Sequence, residues 1–226
     1  MSHQLVLVTG GSGFIGHAVI KELLQEGYRV RSFVRTAPAL SADHSNLTYA
    51  IGDVRDLKSL EAAMAGVEYV IHLAAAKNDE RDSKAINVGG AKNMVEACRI
   101  VGVKRIVNIS TQSAKLKRKG MYGSTKEQSD LLLHASSVPV VTLRCSLIYA
   151  SELSGVFGTI VRFSGLPCIP LFGLGMVTYR PMHRDDLAKV IVRAIQIPEI
   201  AGAMIDIGGP DELTFNAITQ SIMDAR

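Results

Sequence analysis

Tyr122 and Lys126 stand four residues apart in the stretch MYGSTKEQSDLLLH. On a helix that spacing puts both side chains on one face. A tyrosine hydroxyl, with an ordinary pKa of about 10, is a poor base at neutral pH. A lysine ammonium beside it favours the phenolate and lowers that value. The pair therefore reads as an acid/base unit for a hydroxyl or carbonyl carbon. Three hydroxyls, Ser110, Thr111 and Ser113, precede it in ISTQS. Near the start of the chain, Gly10, Gly13 and Gly16 follow the apolar run LVLVT in TGGSGFIG. Gly10 permits a tight turn, Gly13 a close backbone approach, and Gly16 close packing of a helix on a sheet. The N-terminus of that helix offers free N–H groups and a partial positive charge to a diphosphate.

These residues need elements to hold them. Apolar runs at 5–9, 29–34, 47–51, 68–73, 104–109 and 138–143 read as strands, several buried on both faces as parallel strands are. Between them lie amphipathic stretches. Residues 14–26 align Ile15, Val19 and Leu23 with Ile20 and Leu24, and 58–65, 87–101 and 121–135 repeat the pattern. Alternating strand and helix implies an α/β, doubly wound parallel sheet with helices on both faces. After Ile148 the rhythm breaks. Residues 150–180 are rich in Gly and Pro and read as an irregular excursion, followed by a helix at 184–196, a strand at 203–207 and a last helix. The expected organisation is a dinucleotide-binding domain over 1–149. A small C-terminal lobe over 150–226 interleaves with the last sheet elements to make one structural unit.

Bulk properties narrow the class. The 226 residues suffice for a real core, and 47% hydrophobic with 20% charged is an ordinary globular balance. A net charge of +4 is too mild to mark a general nucleic-acid surface. Cys98, Cys145 and Cys168 have no paired spacing, so neither a disulfide framework nor a zinc site is expected. Residues 1–20 lack a secretory pattern and no 18-residue apolar run exists. The expectation is a soluble cytoplasmic protein with no metal, no membrane partner and no nucleic-acid partner.

Taken in order, the motifs resemble the short-chain dehydrogenase/reductase superfamily, in its extended or atypical NAD(P)-dependent epimerase/dehydratase branch. After the glycine loop come GDVRD (52–56), VIHLAA (70–75), NVGGAKNMVEAC (87–98), ISTQS (109–113), YGSTK (122–126), LRCSLIY (143–149) and MHRDDLAKVI (182–191). The resemblance implies a Rossmann fold and a catalytic set of Thr111, Tyr122, Lys126 and Asn87. Tyr122 would move the proton, Lys126 would tune it and hold the nicotinamide ribose, and Thr111 would orient the substrate oxygen, with Ser110 and Ser113 as rivals. Asn87 matches a helix asparagine that supports the lysine, and also suits a helix N-cap. Cofactor contacts carry over to Gly10, Gly13, Phe14, Ile15, Gly16, Asp53, Val54, Leu73, Ala74, Ala75 and Lys126, with Asp53 reaching the adenine. His72 and His183 read as structural.

The segment after the second strand decides between the dinucleotides. It reads VRSFVRTAP, with no acid between Tyr28 and Asp43 and Arg35 at the expected place. An arginine there pairs a 2′-phosphate, where an acid would bind the ribose 2′-OH. NADP(H) is therefore favoured over NAD(H), with Arg31 as a second candidate contact. The cluster Lys115, Lys117, Arg118 and Lys119 suits an anionic substrate or, more plainly, a solvated loop. The segment between Thr111 and Tyr122 is shorter than extended sugar-nucleotide epimerases carry, and so is the lobe after 150. The expected function is an NADP(H)-dependent oxidoreductase or epimerase acting on a small-molecule substrate, a sugar nucleotide or a small ketone or aldehyde. The alternative is a non-catalytic NAD(P)-binding module. The resemblance also admits a homodimer.

Overall fold

Strand β1 (Leu5–Thr9) is buried at every position, as the centre of a sheet covered on both faces must be. The computed structural model describes residues 4–36, 44–77, 79–151, 155–163 and 176–225. Around β1 a seven-stranded sheet is built from β2 (Arg29–Val34), β3 (Leu47–Ile51), β4 (Tyr69–His72), β5 (Arg105–Thr111), β6 (Val140–Cys145) and β10 (Met204–Ile207). Its order is β10-β6-β5-β4-β1-β2-β3, with every pair parallel. The chain reverses its direction of travel between β1 and β4, and the crevice above that reversal is where such sheets bind ligands.

Alternate residues of each strand feed opposite layers. Val6, Val8, Ile71, Val107, Val141 and Leu143 pack under α1 (Phe14–Gln25) and α7 (Arg184–Gln196). Leu5, Leu7, Val70, Ile106 and Val140 pack under α2 (Leu57–Ala63), α4 (Gly90–Val101) and α5 (Met121–His134). Each buried Leu, Ile or Val contributes about 1.5–3 kcal/mol of hydrophobic stabilisation. Local signals set the helix ends. Asp56 caps α2 through Lys58 N, His183 Nδ1 caps α7 by accepting from Asp185 N, and Gly102 closes α4 in the left-handed region at φ 75°.

Between β4 and α4 lie a short helix α3 (Glu80–Ser83) and a π-helical turn over Lys84–Gly89, neither of which the hydrophobic pattern announces. Strand β5 runs to Thr111, two residues beyond the expected limit, and β6 is displaced by two residues towards Cys145. A short strand β7 (Ile148–Tyr149) precedes the stretch expected to be irregular, which itself contains a helix, α6 (Gly155–Phe163), and a short strand β8 (Thr178–Tyr179). Cys168 lies outside the described residues. β7 pairs with β9 (Met182–His183), and β8 with β11 (Leu213–Thr214), which leads into α8 (Phe215–Asp224). Leu147, Ile160 and Ile218 form a separate small core there, with Phe157 and Phe215 packed against it. Arg31 is engaged within the fold. Its guanidinium donates to Ala63 O and Ala65 O at 2.7 and 2.8 Å, tying β2 to the end of α2.

Candidate active site

The turn after β1 is set by backbone proximity. Gly10 has φ +71°, and a Cβ on it would lie 2.9 Å from Ala74 N in the turn that follows β4. A Cβ on Gly16 would lie 2.7 Å from Gly11 Cα and Gly11 O, and closer still to Gly10 O. Only glycine fits either position. Gly13 N donates to Gly10 O at 2.9 Å, and Gly13 caps α1 without any side-chain bond to the first-turn N–H groups. The first-turn residues Phe14, Ile15 and Gly16 line the cleft, where free N–H groups of a helix N-terminus can hold an anion.

Two adjoining cavities make up the cleft. The first, about 390 Å³, is lined by Gly13, Phe14, Ile15 and Gly16 on one side and by Thr111, Tyr122 and Cys145 on the other. The second, about 490 Å³, runs past Ser12 to Arg35, Asp53 and Val54. Gly10, Gly13, Leu73, Ala75, Ala76 and Lys77 border both, and Ala74 borders the second. The glycine loop, Arg35, Asp53, Val54 and the Leu73–Ala75 turn therefore share one continuous wall. Arg35 is exposed, and its charge helps hold the Asp53 carboxyl below its usual value. The larger cause is Arg55, which grips Asp53 with Nε at 3.0 Å and Nη2 at 2.7 Å.

At the other end, Thr111 Oγ1 accepts from Ser113 N at 3.3 Å and lies 3.1 Å from Ser113 Oγ, so both hydroxyls sit at one strand end. Ser110 points to the other side of the strand, as the pleat requires, and donates to Asp130 at 2.9 Å. Ser110 and Thr111 both line the first cavity, and that bond commits the Ser110 hydroxyl to Asp130. Lys126 is 1% exposed, one helical turn beyond Tyr122. Asn87 does not cap a helix. It lies within the π-helical turn, where Oδ1 accepts from Ala76 N and Nδ2 donates to Ala76 O and Thr125 Oγ1, each at 2.9 Å. It joins the turn after β4 to α5. His72 is buried and neutral, its imidazole pushed down to about 3 first by burial and then by Lys126.

The electrostatics correct one expectation. Burial pushes the Tyr122 phenol up to about 12, and Cys145 and Asp130 push the same way. Lys126 does not offset this, and burial pushes its own ammonium below the usual value while Asp130 and Cys145 pull it back up. These causes favour the protonated phenol over the phenolate. Lys77 and Ser12 were missed by sequence reasoning although both line the cleft. Lys77 lies two residues after the VIHLAA motif, and that position was the available signal. Lys115 is paired with Asp206, and Lys119 with Glu127 at 2.5 Å, so half of the basic cluster is internally neutralised. Among the described residues, no group of three or more His, Cys, Asp or Glu stands close enough to hold a metal. No described helix is long and apolar enough to cross a membrane.

Similarity to known proteins follows the same lines. An uncharacterised protein of Mycobacterium tuberculosis is 27% identical over 219 residues, 96% of this chain and 23% of its own length. A UDP-N-acetylglucosamine 4,6-dehydratase (inverting) of Campylobacter jejuni is 35% identical over 146 residues, 58% of this chain and 43% of its own. The chain thus spans under half the length of these curated relatives. The Bordetella bronchiseptica enzyme WbmG, solved in complex with NAD, superposes with a TM-score of 0.84 at 22% identity, covering 99% of this chain and 78% of that one. At that identity the likeness concerns the fold. The model of an enzymatic family matches residues 6–208, across the sheet, the glycine loop and the Tyr122–Lys126 helix, and the chain belongs to the NAD dependent epimerase/dehydratase family.

Proposed function

We propose that the protein is a nicotinamide-dinucleotide-dependent oxidoreductase or epimerase acting at a hydroxyl or carbonyl carbon, with NADP(H) favoured over NAD(H). The observation that carries the reading is the shared cavity wall, in which Thr111 and Tyr122 face the glycine-lined N-terminus of α1. The residues present fit a dinucleotide: the first-turn N–H groups behind Gly13 suit its pyrophosphate, and Arg35 suits a 2′-phosphate. When bound, the dinucleotide supplies hydride transfer.

The chain's own residues do the rest. Thr111 Oγ1 holds the substrate oxygen, and Tyr122, protonated in the resting cleft, donates a proton to that oxygen as negative charge develops on it. Lys126 brings a positive charge to the buried side of Tyr122, and Asn87 fixes the turn through Ala76. The relatives extend the reading to substrates. The Campylobacter relative is named for a UDP-sugar, and WbmG has also been solved with NAD and UDP. A sugar nucleotide is therefore the first substrate class to test, with small ketones and aldehydes second.

The test is turnover of NADPH and NADH with UDP- and dTDP-sugars, ketones and aldehydes, in the wild type and in Tyr122→Phe. Expected is turnover that falls by about 10²–10⁴-fold in Tyr122→Phe, the usual worth of a general acid, with cofactor affinity kept. Activity unchanged in Tyr122→Phe would sink the catalytic role of Tyr122, and cofactor binding without any turnover would favour a binding module.

A further inference from the structure

Asp130 follows Tyr122 and Lys126 at four-residue intervals, so the three side chains stack along one face of α5. It is 0% exposed. Oδ1 accepts from Asn108 Nδ2 at 2.9 Å, and Oδ2 accepts from Ser110 Oγ at 2.9 Å and from Arg144 Nε at 3.2 Å. The first two donors come from β5, on the strand that ends in Thr111, and the third from β6. A buried carboxylate is costly to keep unless it is paired and hydrogen-bonded, and this one is both.

The sheet beneath is arranged to orient it. Thr9, His72, Asn108 and Thr142 are in register across β1, β4, β5 and β6, all buried on the α5 side. Thr9 Oγ1 lies 2.9 Å from His72 Nδ1, and Asn108 Nδ2 also donates to Thr142 Oγ1 at 3.0 Å. The Asn108 amide is thereby fixed with its NH₂ towards Asp130.

Lys126 supplies the reason for it. It is buried, and no described residue accepts a hydrogen bond from its ammonium. A buried lysine without a counter-charge gives up its proton. The titratable groups whose charges meet around Lys126 and Asp130 are His72 on β4, Arg144 and Cys145 on β6, and Tyr122 and His134 on α5. Asp130 is the one anion in that set. We infer that Asp130 is a positioning residue for the Tyr122 chemistry proposed above: its charge keeps Lys126 an ammonium inside a dry interior, and its hydrogen bonds hold the Ser110–Thr111 strand end against α5.

The test reads Lys126 itself. The full chain carrying ¹³C-labelled lysine is titrated by NMR, with the Lys126 signal assigned by its loss in Lys126→Met. Asp130→Asn is expected to move the Lys126 titration to lower pH. Arg144→Gln, which leaves the Asp130 charge less compensated, is expected to move it to higher pH. In the presence of a substrate, Asp130→Asn is expected to lower kcat about tenfold, the equivalent of one pKa unit, with the cofactor KM changed less than twofold. Thermal melts establish that the variants are folded, and if Asp130→Asn is not, Arg144→Gln decides the matter alone. A Lys126 titration unmoved in the folded variants overturns the inference and leaves Asp130 a purely structural acid. The titration is read on resting protein without substrate, so it is decided whether or not the proposed turnover is found.

Discussion

Gly16→Ala puts the smallest possible side chain where the structure leaves no room. The new Cβ would sit 2.7 Å from Gly11 Cα and O, about 0.7 Å inside the 3.4 Å at which ordinary contact begins, and deeper against Gly10 O. All three obstacles are backbone, so no side chain can swing away. Either α1 recedes from the turn or the turn opens, and both move the first-turn N–H groups relative to Gly10 and Gly13. Overpacking of this kind costs about 1–3 kcal/mol, which in a chain of this size lowers Tm by roughly 2–12 °C. Losing one charge-assisted hydrogen bond to a pyrophosphate costs about 1.5–3 kcal/mol, or roughly 10- to 150-fold in Kd. The assay is isothermal titration with NADPH beside a thermal melt. Leu60→Ala in α2 is the control, since Leu60 is fully buried and lines neither cavity of the cleft. It should cost about 2–5 kcal/mol of stability and leave Kd within twofold. A Gly16→Ala protein that binds NADPH within twofold of wild type would refute the reasoning from the cradle.

Arg35→Asp should reverse cofactor preference, weakening NADPH by about tenfold or more through loss of a charged hydrogen-bond donor while sparing NADH; equal losses for both would remove Arg35 from the 2′-position. Asn87→Ala removes the three bonds that hold the Ala76 turn and Thr125, and should cost about 2–4 kcal/mol at the usual worth of buried hydrogen bonds, read as a lower urea midpoint at unchanged slope. His72 gives a signed pH dependence. Its folded pKa of about 3 lies below the unfolded value of 6.5, so the unfolded chain binds the extra proton between those limits. Stability should therefore fall as pH drops from 6.5 towards 3, by about 2 kcal/mol at pH 5, and His72→Gln should flatten that limb of a Tm-against-pH series.

Much of the architecture was legible because its signals are local. The apolar runs at 5–9, 29–34 and 47–51 coincide with β1, β2 and β3. The glycine spacing located the tight turn between β1 and α1, and Tyr122 and Lys126 fall on one helix as their spacing required. What escaped depends on alignment between distant segments. Nothing near Thr9 announces that it lies beside His72, or that Asn108 and Thr142 continue the row, because strand register is set by the whole sheet. The Tyr122 phenol was misjudged for the same reason. Spacing brings a lysine near, but burial, which a four-residue motif does not record, outweighs it. Asn87 read equally well as a cap, and only the π-helical turn shows it reaching across to Ala76.

The place of β10 has a consequence in time. Met204–Ile207 adds to the sheet edge beside Thr142–Cys145, so β6 waits for a partner encoded roughly 60 residues later. At roughly 5–20 residues per second of synthesis, that partner emerges roughly 3–12 s after β6 does. Throughout that interval the segment VVTLRC presents an unpaired, β-prone edge, the kind of surface on which nascent chains aggregate. Arg144 is the one charge within it, and a polar substitution there that spares the folded state would still be felt during synthesis, as a lower yield of soluble protein.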